Sequence, residues 1–228
     1  MRADTILISD IHLGSDLCRS KDLIKTLGNS IFDQLIILGD LFDDMNLERL
    51  KTEHYELINF LREISRNNNV IWVEGNHDYK LNREFSDIIG KTHTCEKYEW
   101  ENNGKKYLAI HGHQFDEYLL NHCNLTEVAC TIYRISQKFD SRLSTNISRS
   151  LRKGVERWKR VAEKVLLGAL KFAEFCGADT IFCGHTHNPI MRFKRDRVEY
   201  WNTGCWTDPR IASFITINEE GTKLQVLE

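Results

Sequence analysis

The chain has 228 residues, 41% hydrophobic and 28% charged, with a formal net charge of −2, which is ordinary for a globular protein. That length allows one large domain or two small ones and is sufficient to bury a substantial core. No apolar run approaches the roughly 18 residues of a membrane span, and the N-terminus carries no secretory leader pattern, so we expect a cytoplasmic protein.

Cysteine usage agrees with that expectation. Seven cysteines are scattered along the chain, and none forms a C-x-x-C pair. The pattern excludes a zinc ribbon and a thioredoxin-like motif, and free thiols in a reducing compartment are the simplest interpretation.

In chain order, five apolar runs have the form of buried strands, and each ends in a polar side chain that could bind a metal. The runs are residues 5–10, 34–40, 70–76, 107–112 and 180–187. Amphipathic segments at residues 21–29 and 48–66 predict helices between the first three runs. Continuous apolar strands suit sheets that are covered on both faces, and the strand–helix alternation predicts an α/β layered fold.

Alternating segments predict antiparallel hairpins. One spans residues 97–112 and turns at Asn103-Gly104, a dipeptide typical of tight hairpin turns. Two more lie late in the chain, with turns at residues 194–196 and at Glu220-Gly221.

Residues 114–176 predict a helical insertion between these patterns. Two apolar stripes with three- to four-residue spacing run through it, at residues 125–139 and 155–176. Residues 131–164 hold ten Lys/Arg and three Asp/Glu, a local charge of +7 that leaves −9 for the rest of the chain. This charge favours an anionic partner, but a solvated helix face would explain it as well. The candidate substrate contacts, termed the basic cluster, are Arg149, Arg152, Lys153 and Arg157.

Polar residues gather where the five apolar runs end. They are Asp10, His12, Asp40, Asn76, His77, Asp78, His111, His185 and His187. Open α/β sheets place their binding crevices at such strand ends. Carboxylate, imidazole and amide oxygen together suit divalent ions such as Mn²⁺, Fe²⁺ or Zn²⁺, and the lack of cysteine argues against a structural zinc site. Seven ligands are too many for one tetrahedral ion. Shared between two ions, with one bridging carboxylate, they would give each ion about four protein ligands.

The order D-x-H, G-D, G-N-H-D, H-G-H and G-H-x-H resembles the calcineurin-like metallophosphoesterases, and the five blocks span residues 10–187. The stretches "SDIHLGSD", "HGHQFDEYL", "CGHTHNP" and "YWNTGCW" narrow the likeness to the UDP-2,3-diacylglucosamine diphosphatase branch of lipid A biosynthesis. This chain has His77 where that branch typically has Arg, and His113 and Cys205 where its homologues tend to have Asp.

The resemblance implies a four-layer α/β-β/α sandwich, one domain over residues 1–228, and two divalent ions. Mn²⁺ is the first expectation, with Fe²⁺, Zn²⁺ or Mg²⁺ as alternatives. One ion would be held by Asp10, His12 and His187. The other would be held by Asn76, His111 and His185, with Asp40 as the bridge. His77, oriented by Asp78, would meet the phosphate as general acid or electrostatic stabiliser, while the ions polarise the phosphoryl group.

Three hypotheses follow. The first is a hydrolase of a pyrophosphate or phosphodiester bond in a UDP-2,3-diacylglucosamine-like nucleotide–lipid, with the insertion capping the site and contacting the inner membrane surface. The second is a soluble phosphodiesterase or nuclease on the same core, for which nucleic acid is the less favoured partner. The third, a scaffold without catalysis, is disfavoured because every ligand position is filled.

Overall fold

A computed structural model describes residues 1–78, 85–116 and 147–227 of the chain, with the backbone alone for residues 86, 147–157 and 191. Its strands form two sheets, of six and five strands. The predicted layered α/β fold is confirmed.

The first sheet has the order β11-β10-β1-β2-β3-β4. Its strands are β1 (Thr5–Ile8), β2 (Gln34–Leu38), β3 (Asn69–Val73), β4 (His93–Cys95), β10 (Ala212–Asn218) and β11 (Gly221–Leu227). The four strands β1 to β4 run parallel, while β10 and β11 add antiparallel strands beyond β1. The carboxyl ends of the parallel strands therefore lie along one edge of the sheet.

The second sheet has the order β5-β6-β7-β9-β8. Its strands are β5 (Tyr98–Asn102), β6 (Lys105–Ala109), β7 (Thr180–Cys183), β8 (Ile190–Arg195) and β9 (Val198–Asn202). The three central strands are parallel, and the two outer strands pair with them as antiparallel hairpins. The strands β6 and β7, both predicted from the sequence, thus have their carboxyl ends on the same edge of this sheet.

In the described part of the chain, three α-helices cover the sheets. They are α1 (Ser20–Gly28), α2 (Thr52–Asn67) and α3 (Ile147–Cys176). One apolar core lies between the first sheet and the helices α1 and α2, a second between the two sheets, and a third between the second sheet and α3. Three cores between four layers are the sandwich that the sequence predicts.

The predicted hairpins and turns agree with the structure, except for the position of one turn and for one additional strand. The three hairpins form, and Asn103 and Gly104 take the left-handed conformation of a tight turn (φ 52° and 71°). The turn before β9 lies one residue later than predicted, between Arg195 and Val198. The short parallel strand β4 was not predicted, because three residues give no readable alternation.

The predicted insertion is described only in part. Residues 114–116 close a short 3₁₀ turn, and α3 accounts for the second apolar stripe, whose Ala162, Val165 and Ala169 are buried. The first stripe, residues 125–139, lies outside the described residues. Among the residues that are described, no helix is both long and apolar enough to span a membrane.

Candidate metal centre

The strand-end residues meet because of the topology. The loops after β1, β2 and β3 leave one edge of the first sheet, and the loops after β6 and β7 leave the facing edge of the second. Backbone hydrogen bonds tie the first loops together, with the amides of Ile11 and His12 both donating to the Asp40 carbonyl at 3.0 Å. The loops are therefore positioned by both sheets and not by a single element.

Strained backbone marks the centre. Seven non-glycine residues in the described part of the chain have positive φ, and five of them are predicted ligands. These five are Asp10, His12, Asp40, His185 and His187, with φ between 52° and 63°. The left-handed region is unfavourable for side chains with a Cβ, and such strain persists where the surrounding structure enforces it, commonly at functional sites.

Glycines let these loops approach one another. A Cβ at Gly75 would overlap the side chain and amide nitrogen of Asp40, and one at Gly184 would overlap Ser9 and Asp10. The glycines of the G-N-H-D and G-H-x-H blocks are therefore needed for close packing, and Gly39 of the G-D block is needed both for packing against His111 and for its left-handed backbone (φ 77°).

A first group of ligand atoms comprises Asp10, His12 and His187, whose donor atoms lie within 4.8 Å of one another. His187 Nε2 is 3.1 Å from Asp10 Oδ1, and the Nε2 atoms of His12 and His187 are 3.3 Å apart. Both imidazoles and the carboxylate thus aim at one small volume, which is the arrangement a divalent ion requires.

A second group comprises Asp40, His111 and His185, again with donor atoms within 4.8 Å. His111 donates from Nδ1 to the Leu38 carbonyl at 2.5 Å, which leaves Nε2 facing Asp40 Oδ2 at 3.3 Å and Asn76 Oδ1 at 3.2 Å. A bare nitrogen aimed at two oxygens needs a proton or a cation between them. The donor set therefore fits a second divalent ion.

Asp40 lies between the two groups. Its Oδ2 is 3.3 Å from His111 Nε2 and 3.8 Å from His12 Nε2, and its Oδ1 accepts the backbone amide of His77 at 3.0 Å. The carboxylate is buried. Its place between imidazoles of both groups is the one that a bridging ligand would occupy.

Opposite charges in the centre shift its pKa values. Burial disfavours the ionised carboxylate of Asp40, but the imidazoles of His111 and His77 hold its pKa well below the usual range. Burial likewise opposes protonation of His111, yet Asp40 raises its pKa to about 9. Burial also opposes protonation of His187, which Cys205 and Asp10 outweigh, so that its pKa lies well above the usual value. Without bound metal, protons on His111 and His187 thus balance the negative charge of the carboxylates. Bound cations would take over that role.

His77 lies beside this centre with its Nε2 3.9 Å from Asp40 Oδ2. Its Nδ1 is 2.7 Å from the backbone carbonyl of Asp43, and since a carbonyl only accepts, Nδ1 carries the proton. Nε2 is then the nitrogen left to face a substrate.

Asp78 has a different place from the one predicted. Its carboxylate accepts backbone amides from Leu41 at 2.6 Å and from Phe42 and Gly75 at 3.2 Å each, and these contacts use both of its oxygens. The group that meets the imidazole Nδ1 of His77 is instead the carbonyl of Asp43. Burial and the neighbouring Asp40 raise the pKa of Asp78 to about 7.

Sequence reasoning missed two carboxylates. Asp43 Oδ1 lies 3.3 Å from His12 Nδ1, and its Oδ2 pairs with Arg49 at 2.8 Å. Asp116 Oδ2 lies 3.2 Å from His185 Nε2, and both side chains are buried. Asp43 and Asp116 stand within the quoted blocks "LGDLFDD" and "HGHQFDE", so their position beside motif residues was the available signal.

Besides His77, the other two residues that depart from the family branch, His113 and Cys205, also lie here. Burial together with the imidazoles of His111 and His185 lowers the pKa of His113 to about 3. Cys205 is buried, and although burial disfavours its thiolate, the neighbouring His187 lowers its pKa. Both side chains therefore neighbour predicted ligands: the ring centroid of His113 lies 5.4 Å from that of His111, and Cys205 forms a hydrogen bond with His187.

Helix α3 reaches the centre through Trp158. The indole Nε1 donates to the Thr186 carbonyl at 2.7 Å, between the two histidines of the G-H-x-H block. The basic cluster lies on the preceding part of α3, residues 147–157, where the side chains are not described. Its contact with substrate therefore stays a prediction.

Comparison with known proteins agrees with this geometry. A family model described as calcineurin-like phosphoesterase matches residues 4–189. Two proteins named UDP-2,3-diacylglucosamine hydrolase, from Shewanella sp. (strain MR-4) and Shewanella baltica (strain OS185), are each 24% identical, with 98% of this chain and 97% of theirs aligned. A solved structure described as a novel archaeal phosphodiesterase superposes with a TM-score of 0.52 at 17% identity, covering 98% of this chain and 99% of that one, and at this identity it shows the fold alone.

Proposed function

Because this chain belongs to the calcineurin-like phosphoesterase family and is therefore a metal-dependent phosphoester hydrolase, we propose that it uses two divalent ions to cleave a nucleotide–lipid. The bond cleaved is a pyrophosphate or phosphodiester, and the substrate resembles UDP-2,3-diacylglucosamine.

The shared position of Asp40 carries the two-ion assignment. Its Oδ2 lies 3.8 Å from His12, which belongs to the group with Asp10 and His187, and 3.3 Å from His111, which belongs to the group with His185 and contacts Asn76. One carboxylate between two sets of nitrogen and oxygen donors gives each ion about four protein ligands. This is the number that leaves room for water and a phosphoryl oxygen.

Two ions bound there would draw charge from the phosphoryl oxygens and provide an acidic water as nucleophile. His77 would meet the same phosphoryl group from its Nε2, because the Asp43 carbonyl holds the proton on Nδ1. With 19% of its side chain exposed, His77 is accessible to a bound ester. When His77 is protonated on Nε2 as well, the imidazolium would donate that proton or a hydrogen bond to the departing oxygen.

The nucleotide–lipid substrate is supported by the relatives named UDP-2,3-diacylglucosamine hydrolase, which align over nearly their whole length. The charge of the insertion supports it independently, since ten Lys/Arg against three Asp/Glu in residues 131–164 suit a diphosphate headgroup. Manganese is the ion we expect, because a set of imidazole and carboxylate ligands without cysteine suits it.

A metal-reconstituted activity screen tests the proposal. The purified chain is stripped of metal, loaded with Mn²⁺, Mg²⁺ or Zn²⁺, and assayed on UDP-2,3-diacylglucosamine, UDP-sugars, bis-p-nitrophenyl phosphate and single-stranded DNA. We expect the diacylated substrate to exceed the simple UDP-sugars in kcat/KM by at least a hundredfold. Higher activity on DNA would replace this proposal with a nuclease, and a metal-loaded protein inactive on every ester would replace it with a scaffold.

The basic cluster gives a second test, of peripheral contact with the inner membrane surface. Each basic residue near an anionic membrane contributes about 1 kcal/mol, so neutralising Arg149, Arg152 and Arg157 to Gln should weaken liposome binding by roughly two orders of magnitude. Turnover of bis-p-nitrophenyl phosphate should hardly change. The matched control is a triple Gln variant of Lys21, Lys105 and Lys223, which lie outside the insertion. Equal loss on small and lipid substrates would assign the cluster to folding or the metal site.

A further inference from the structure

Trp158 is the first residue of α3 whose side chain is described, and it contacts the metal centre directly. Its indole Nε1 donates to the Thr186 carbonyl at 2.7 Å. Its ring centroid lies 6.3 Å from that of His185 at an interplanar angle of 51°, and 6.4 Å from that of His187 at 85°. The indole ring thus lies beside two predicted ligands, one from each group.

The Trp158 ring lies on a solvent-accessible side of the metal centre. The side chains of Asp10 and His111 are fully buried, whereas those of His187 and His77 are 18% and 19% exposed. Among the described residues, solvent therefore reaches the centre past His187 and His77. Trp158, itself half-buried, adjoins His187 on this side.

We propose that Trp158 is a specificity-determining residue: its ring contacts the substituent carried by the phosphoryl group and favours esters whose substituent presents a flat ring. Aromatic rings gain most from partners with centroids about 4.5–7 Å apart in stacked or edge geometry. The Trp158 ring lies 6.3 Å and 6.4 Å from the rings of two predicted ligands, so a substituent on a phosphoryl group held by those ligands would be its neighbour. The proposal rests on the proposed function, since it needs a phosphoester at the metal centre. To that function the proposal adds which class of phosphoester the protein prefers.

Trp158 also anchors α3 to the G-H-x-H loop, and the two roles can be separated. W158F removes the hydrogen bond to Thr186 and keeps an aromatic ring. W158L removes both, and leucine suits a half-buried helical position. K159A serves as the matched control, because Lys159 is the neighbouring residue of α3 and is exposed.

The test measures binding and does not depend on turnover. Phenylphosphonate and methylphosphonate carry the same anionic group and differ only in the ring, so their dissociation constants for the Mn²⁺-loaded protein are compared by titration calorimetry. We expect the unmodified protein to prefer phenylphosphonate about tenfold, W158F to keep most of that preference, and W158L to reduce it to about twofold or less. Methylphosphonate affinity and metal content by elemental analysis should stay unchanged, and K159A should match the unmodified protein.

Each other outcome overturns the inference. If the unmodified protein binds both phosphonates equally, or if W158L keeps the preference, Trp158 does not read the substituent. If W158F loses the preference as fully as W158L, the hydrogen bond and not the ring is responsible. These results leave hydrolysis in the metal screen intact, whereas a protein that is inactive in that screen and binds neither phosphonate refutes the proposed function together with the inference.

Discussion

Replacing Asp78 distinguishes a catalytic role from a structural one. In the structure its carboxylate accepts the amides of Leu41 and Phe42 on Oδ2 and that of Gly75 on Oδ1. It thereby ties the loop after β2, which carries Asp40, to the loop after β3, which carries Asn76 and His77. We therefore expect both D78A and D78N to act mainly on stability.

The contacts set the magnitude. Each buried amide left without an acceptor costs about 1–3 kcal/mol. D78A strands three amides, and with partial entry of water we expect a loss of about 3–5 kcal/mol. D78N keeps one oxygen for Leu41 and Phe42 and opposes its amide group to the Gly75 N–H, so one donor is lost, at about 1–3 kcal/mol. For a chain of 228 residues, 1 kcal/mol shifts Tm by about 2–4 °C.

The assay is thermal and urea unfolding of the metal-free protein, with kcat on bis-p-nitrophenyl phosphate measured well below Tm. We expect Tm to fall by about 10 °C or more in D78A and by about half as much in D78N. D33N is the control, since Asp33 is an exposed carboxylate. A D78N protein with unchanged Tm and a hundredfold lower kcat would refute this reasoning and restore Asp78 as the partner of His77.

Four further outcomes are expected. D40A should lose activity and leave at most one ion per chain by elemental analysis; two retained ions would remove Asp40 from the bridge. H77A should keep its metal while the single-turnover rate falls about 10²–10⁴-fold, and loss of metal would make His77 a ligand. D116N should weaken metal affinity about 10–100-fold in calorimetry, because the Asp116 carboxylate orients His185, whereas unchanged affinity would mean that His185 needs no such support. Metal binding should release protons and tighten as pH rises towards about 9, because the pKa of His111 is raised to about 9 and that of His187 is also raised, so bound protons compete with the metal; equal heats in buffers of different ionisation enthalpy would contradict this.

Much of the fold could be read from the sequence because its central strands are buried on both faces. In β2 the four residues after Gln34 are all apolar and buried, and Gly39-Asp40 follows them directly, so strand and strand end are visible together. β4 was invisible because its three residues are partly exposed and take their conformation from pairing with β3.

The sequence predicts most of the candidate site, as it predicts most of the fold. What it misses in the site, as in β4, depends on contacts between distant parts of the chain. Residues at the ends of parallel strands must meet at one edge, which brings Asp10, Asp40 and Asn76 together on topology alone. The orientation of their neighbours depends on loop conformation, which spacing does not encode. Hence Asp43 and Asp116, which contact imidazoles across the chain, were overlooked, and Asp78 was given to the wrong neighbour.

The left-handed backbone at five of the predicted ligands also bears on how this fold can change over evolutionary time. Each such residue costs about 1–2 kcal/mol relative to a relaxed conformation, and five together approach the net stability of a typical domain. Glycine at any of these positions would relieve the strain and remove a ligand in one substitution. In a lineage released from selection for hydrolysis, such substitutions would relieve backbone strain in the metal-free protein, and drift would lead from this enzyme towards a protein with the same fold and no metal chemistry.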